Sequence, residues 1–367
     1  MTFSLWAYHA ALFTVELHLK RKLIWLVCSL HTKELPLRHL IGKLDGPTLS
    51  NNTFSGKIGK LLPTATDLDI NPNFIPIRVG PPLLPLTDEI ISDLSTDQHY
   101  GYMMVNAIRS GVVPQRLPML DVGPVNHSRW LTTANRLLRL YVSDHNDQLS
   151  ENDKNNLQKM CKSVVGIYYP CWFNMKIKHS WIEGPRHVLF QLACLQSQPD
   201  DVVEIVSSTV KRAAWYAHSE NIIQTLLSSK DEEERTLGVN AVLKIRGDGD
   251  PELQRGDSSV RTRKTPDINL QSASLSELLN CQEDHHEPPL TCNMTTSEVK
   301  KFISTPKVVP NWPCHTQSIE RVVKMVTEAS GRFFTEKKRD GGIRAQEFSR
   351  RHMAKNETKR DLLNLID

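Results

Sequence analysis

Apolar residues recur at helical spacing through the middle of the chain and at no clear period near its ends. The run RWLTTANRLLRLYV, 129–142, places Trp130, Ala134, Leu137, Leu138 and Tyr141 on one helical face, with Arg136 and Arg139 off it. Asn126 or Ser128 is positioned to cap that helix. PDDVVEIVSSTVKRAAWYA carries acids in its first turn and Lys211-Arg212 later, the order a helix dipole favours. SENIIQTLLSS follows with Ser219 as a cap, and DEEERTLGVNAVLKIR again runs from acidic to basic. These patterns predict a contiguous all-helical block over 88–246.

Either side of that block the pattern breaks down. The apolar runs 11–19 and 23–30, parted by Lys20-Arg21-Lys22, fit a strand as well as a helix. Residues 44–60 are rich in Gly, Asn and Ser and read as loop, while 70–86 holds five prolines and reads as an extended connector. Residues 247–267 are polar and lack an apolar period, which predicts a linker, partly disordered, continuing to about 295. TTSEVKKFIS predicts a short helix starting near Thr296 or Ser297. TQSIERVVKMVTEAS predicts the last helix, with Ile319, Val322, Val323, Val326 and Ala329 as its stripe, ahead of a basic tail.

Composition narrows the class. With 367 residues, 39% hydrophobic and 23% charged, the chain is long enough for two or three domains and is expected to fold. A net charge of +4 permits nucleic-acid binding without arguing for it. Seven dispersed cysteines fit a reducing compartment, so a nuclear or cytoplasmic location is expected rather than secretion. Glu16 and the basic triplet interrupt the N-terminal apolar stretch, so no membrane insertion is expected.

Three features carry candidate chemistry. Cys28-x-x-His31 is half of a zinc pattern, but neither Cys281 with His285 and His286, nor Cys292, nor Cys314-His315 supplies a paired finger spacing. A buried thiol beside a hydrogen-bonded histidine is the plainer reading, and a Cys–His nucleophile would need a third, orienting group. Arg129-Trp130 opens a helix, where the Trp is either core or an aromatic that stacks on an unpaired base. Glu320 borders the apolar stripe and is either half of an i,i+4 pair with Lys324 or a metal-binding carboxylate.

Taken in order, WLVCSLHTKELPLRHL, HSRWLTTANRLLRLYV and CHTQSIERVVKMVTEAS resemble the catalytic half of hAT-superfamily DNA transposases, closest to transposon-derived proteins of invertebrates. The resemblance spans roughly residues 12–352. It implies an RNase H-like core interrupted by a helical insertion, with two aspartates and one glutamate holding magnesium. Carried onto this chain, it implies Glu320 as the metal and catalytic carboxylate, Arg129 and Trp130 as DNA-binding residues, and Cys28 and His31 as a structural pair.

The chain departs from that pattern upstream of Cys28. Both aspartates belong there, yet no aspartate precedes Asp45, and Glu16 is the single acid ahead of the motif. A pair of ions about 3.5–4 Å apart needs several carboxylates. The expectation is therefore a mainly α chain with an incomplete RNase H-like α/β remnant at 1–62, a Pro-rich connector at 63–87, the helical block at 88–246, a linker at 247–295 and a C-terminal helical segment at 296–367. No cofactor is expected for this chain. Expected partners are DNA, a second copy or a transposase-like protein. The rival expectation is an unrelated helical protein–protein interaction module, with no strand before residue 60 and Glu320 facing solvent. A nuclease rebuilt on Glu16, Glu34 or Asp45 is a third reading.

Overall fold

The computed structural model describes Leu23 and residues 26–50, 53–122, 129–144, 148–247, 265–282 and 285–314, excepting the side chains of Leu49, Ser50 and Arg129. The structure is mainly helical. Helix α1 covers Ser29–Leu44, a two-stranded antiparallel ribbon pairs β1 (Thr48–Ser50) with β2 (Thr53–Phe54), and α2 covers Lys57–Leu61. The helical block then runs α3 (Asp88–Asp93), α4 (Thr96–Ser110), α5 (Arg129–Tyr141), α6 (Glu151–Ser163), α7 (Tyr169–Ile177), α8 (Gly184–Gln196), α9 (Asp200–Ala213), α10 (Ser219–Leu227) and α11 (Glu232–Arg246). Two short helices follow, α12 (Leu275–Asn280) and α13 (Thr296–Lys300). Among the described residues, no helix is long and apolar enough to cross a membrane.

The elements share one continuous apolar core running from Leu30 to Cys314. Helix α1 packs most extensively along α9, so a helix from the N-terminal region lies on one from the middle of the block. Leu30, Leu37, Leu40 and Ile41 of α1 are buried, as are Val202, Val206, Val210 and Ala213 of α9. Each is worth about 1.5–3 kcal/mol in transfer from water, less for the alanine.

Helix α5 lies at the centre and is buried on all sides. Arg136 and Arg139, off the apolar stripe by sequence pattern, are 6% and 4% exposed. They are buried because the 3-10 helix Leu62–Asp67 and Leu68 cross that side of α5 and present carbonyls to it. Arg136 donates to Leu62 O at 2.9 Å, Pro63 O at 3.0 Å and Thr66 Oγ1 at 3.1 Å, and Arg139 Nε donates to Leu68 O at 2.7 Å. Asn135 donates to Asp97 O at 2.9 Å and Val122 O at 3.1 Å, and accepts from the Tyr169 hydroxyl. Tyr169 fits against α4 because position 101 is glycine: a Cβ there would meet the Tyr169 oxygen at 2.3 Å.

The proline-rich segment 70–86 is free of helix and strand, as its composition predicts. It is held down by the helices it crosses. Tyr141 donates to Ile75 O at 2.8 Å, and the Arg109 guanidinium reaches Val79 O at 2.6 Å and Gly80 O at 2.9 Å.

The region expected to be linker is packed over much of its described length. Ile268, Leu275, Leu278 and Leu279 are buried, and Gln282 caps α10 by accepting from Ser219 N at 2.8 Å. The N-cap of α13 is Thr295, whose side chain and that of Glu298 form a capping box. Residues 285–314 form a clasp across the helices. Its anchors are a buried ion pair, Arg246 to Glu287 at 2.5 Å, and Arg235 Nε donating to Ile303 O at 3.0 Å.

Replacing Arg136 with Met is expected to cost about 1–3 kcal/mol, because it keeps the packing but orphans the buried Leu62 carbonyl. Urea denaturation would show this as a lower midpoint at unchanged m-value, and an unshifted midpoint would mean that the carbonyl finds another donor.

Candidate functional site

The sequence-derived residues fall into three places. Cys28 is the N-cap of α1, is half-buried against the core, and its carbonyl accepts from Thr32 N at 3.3 Å. His31, one turn on, is exposed and lies 3.4 Å from Glu34. The two side chains therefore have separate surroundings, one core and one solvent. Trp130 is 8% exposed, and its ring meets Phe54 edge-on at 6.3 Å. It joins the β-ribbon to α5 from within the core. Arg129 opens α5, and Glu320, with the helix expected around it, lies outside the described residues.

The other acids considered for metal work are engaged elsewhere. Asp45 caps α2, accepting from Ile58 N at 2.9 Å and Gly59 N at 2.7 Å. It lies eleven residues beyond Glu34 on the same helix, about 16 Å along the axis, too far to share an ion. Among the described residues, no group of three or more His, Cys, Asp or Glu side chains is placed to hold a metal ion. His285 bonds the Leu279 carbonyl at 3.0 Å, and the Cys292 thiol donates to Pro288 O at 3.5 Å.

What the structure does bring together is the start of α1 and the end of the clasp. Ser29 N donates to Cys314 O at 2.8 Å, and Cys314 N donates to His179 O at 2.6 Å. Trp181 completes the join, its backbone N–H reaching Trp312 O at 2.7 Å and its indole N–H reaching Pro310 O at 2.8 Å. Residues 310–314 thus thread between the N-terminus of α1 and the α7–α8 turn. Sequence pattern missed this junction, because its bonds are backbone bonds between segments some 130 and 285 residues apart.

Behind the junction lies a buried polar layer. His187 of α8 receives Asn174 Nδ2 at 3.1 Å on Nδ1, and its Nε2–H donates to Lys178 O at 2.8 Å. The bond accepted at Nδ1 requires a neutral ring. Burial pushes its pKa down to about 4, the Lys178 carbonyl opposing the shift. Lys33 of α1 is 4% exposed and donates to Gln191 Oε1.

Two expectations follow. Trp130→Ala should cost about 3–5 kcal/mol in urea melts, the range for emptying a core aromatic site; a surface stacking residue would leave stability unchanged. The second concerns acid. With its folded pKa near 4 against 6.5 unfolded, His187 binds its proton more readily in the unfolded chain. Its contribution is complete above about pH 6.5 and is lost as pH falls towards 4, a change of up to roughly 3 kcal/mol. His187→Gln should flatten the stability–pH curve between those values, and an unchanged slope would remove the assignment.

No family model, curated protein or solved structure matches the chain.

Proposed function

We propose that the chain is a transposon-derived protein, a catalytically inactive piece of a hAT-like DNA transposase that keeps weak DNA binding and protein association. On this reading α1 and the β-ribbon are the remnant of an RNase H-like core, and 88–246 is the helical insertion. The observation that carries it is the bond between Ser29 N and Cys314 O, 2.8 Å. In the resembled family the last carboxylate returns to the core that the Cys-x-x-His pair packs. Here the chain leading to Glu320 arrives at the residue after Cys28. Glu320 follows Cys314 by six residues in the sequence.

The inactive reading rests on acid count within these 367 residues: the resemblance asks for two aspartates ahead of Cys28, and the first aspartate here is Asp45. The rival reading, an unrelated helical interaction module, expects no strand before residue 60; β1 and β2 lie before it, though as a short ribbon rather than a core sheet.

The test is gel retardation of a DNA hairpin and a plain duplex across a salt series, with a nicking assay in magnesium or manganese. Binding that weakens steeply with salt and is reduced in Arg129→Ala, without nicking, is expected. Absence of retardation at low salt would overturn the DNA part of the reading. Metal-dependent nicking lost on Glu320→Ala would overturn the inactivity.

A further inference from the structure

Lys307 of the clasp is 8% exposed, and among the described residues its ammonium has one strong acceptor. Its backbone N–H donates to Leu227 O at 2.9 Å, which seats the clasp on the last residue of α10. Its Nζ donates to Leu290 O at 2.7 Å and to Met294 Sδ at 3.5 Å, and stands 5.0 Å from the centre of the Phe302 ring. An ammonium carries three protons. Here a carbonyl takes one, a thioether is a weak acceptor for another, and an aromatic face is the third neighbour. The charge is poorly compensated for a buried site. Burial brings the Lys307 pKa down to about 8, with Glu287 and Cys292 of the clasp opposing the shift and Arg246 of α11 adding to it. Met294 is half-buried, and its own N–H closes the turn by donating to Thr291 O at 2.8 Å. Thr291 O also receives Arg246 Nη2 at 2.8 Å, so the sulfur, the ammonium and the guanidinium all hold one turn of the clasp.

We propose that Met294 is a sulfoxidation site, and that its oxidised form tightens the clasp by giving the Lys307 ammonium a second strong acceptor. Hydrogen peroxide is the oxidant. The thioether sulfur attacks one peroxide oxygen, and the S–O bond forms as the O–O bond breaks. The departing hydroxide takes the proton from the new S–OH group and leaves as water. One thioether and one peroxide give one sulfoxide and one water; the sulfur loses the two electrons the peroxide gains. The sulfoxide oxygen carries a partial negative charge, so an ammonium bond to it is of the strong, charge-assisted kind. Half-burial leaves the Met294 sulfur open to a small oxidant, whereas Met104, Met160 and Met175 are fully buried. Ordinary methionine oxidation puts a polar group among apolar ones and loosens packing. Here the sulfur already touches a buried charge, and the effect on the clasp has the opposite sign.

The full chain is treated with hydrogen peroxide, the peroxide is removed with catalase, and methionine oxidation is mapped by peptide mass spectrometry. Met294 should gain an oxygen under conditions that also oxidise the exposed Met119 and spare Met104, Met160 and Met175. Complete oxidation of Met119 with Met294 left intact would overturn the proposal. Hydrogen exchange then reads the clasp. In the oxidised protein the amides of 288–294 and 305–309 should exchange roughly tenfold more slowly than before treatment; unchanged or faster exchange would overturn the proposal. Met294→Leu under the same treatment should keep its original rates, and slowing there as well would assign the effect to another methionine. Met294→Gln, which offers Lys307 an amide oxygen in place of the sulfoxide oxygen, should slow the same amides without peroxide. Exchange as fast as in Met294→Leu would remove Lys307 from the effect, as would slowing on oxidation that survives in a natively folded Lys307→Met.

Discussion

Buried backbone must find hydrogen-bond partners, and this chain buries a great deal of backbone outside helices. The segments 62–86 and 285–314, helical only over Leu62–Asp67 and Thr296–Ile303, cross the faces of the longer helices. Their carbonyls are satisfied by arginines projecting from helices: Arg109, Arg136 and Arg139 for the first, Arg235 and Arg246 for the second. A guanidinium suits this work because it carries five donors in a rigid fork and stays protonated when buried. The cost is desolvation of the charge, visible at Arg136 and Arg109 as pKa values held below the ordinary arginine range.

This explains why the regions read from sequence as connector, insertion and C-terminal segment share one core. A connector pinned through its carbonyls cannot drift from the helix that pins it. The clasp is fixed the same way at one end, by Arg235 and the Arg246–Glu287 pair, and at the other by backbone bonds at Cys314. The junction at the start of α1 therefore depends on contacts made at α11, across the molecule.

Much of the helical block was legible in the chain. Helix α9 follows from its apolar spacing and its acidic start, and α11 from its run from acidic to basic residues. Other features were not legible, for physical reasons. Periodicity assumes a helix with a wet side, and α5 has none, so its arginines look like surface residues. Ser219 looks like the cap of α10, yet the acceptor is Gln282, 63 residues on. The packed part of 265–295 has too few apolar residues to show a period, although Leu275, Leu278 and Leu279 are all buried. At the candidate site, Cys28-x-x-His31 was visible as a spacing, but a spacing does not say that one member faces core and the other solvent.

The placement of Trp130 changes how the nucleic-acid reading has to be argued. A ring wedged between α5 and Phe54 contributes core packing, so losing it would weaken DNA binding by weakening the fold, whatever the ring does with a base. On the proposed reading, binding would have to be carried by charge at the surface, where a residue can be changed without emptying a cavity, and salt dependence would report that term directly. The junction of Ser29 with Cys314 is of the other kind, a pair of backbone bonds that brings two distant segments to one edge of the shared core.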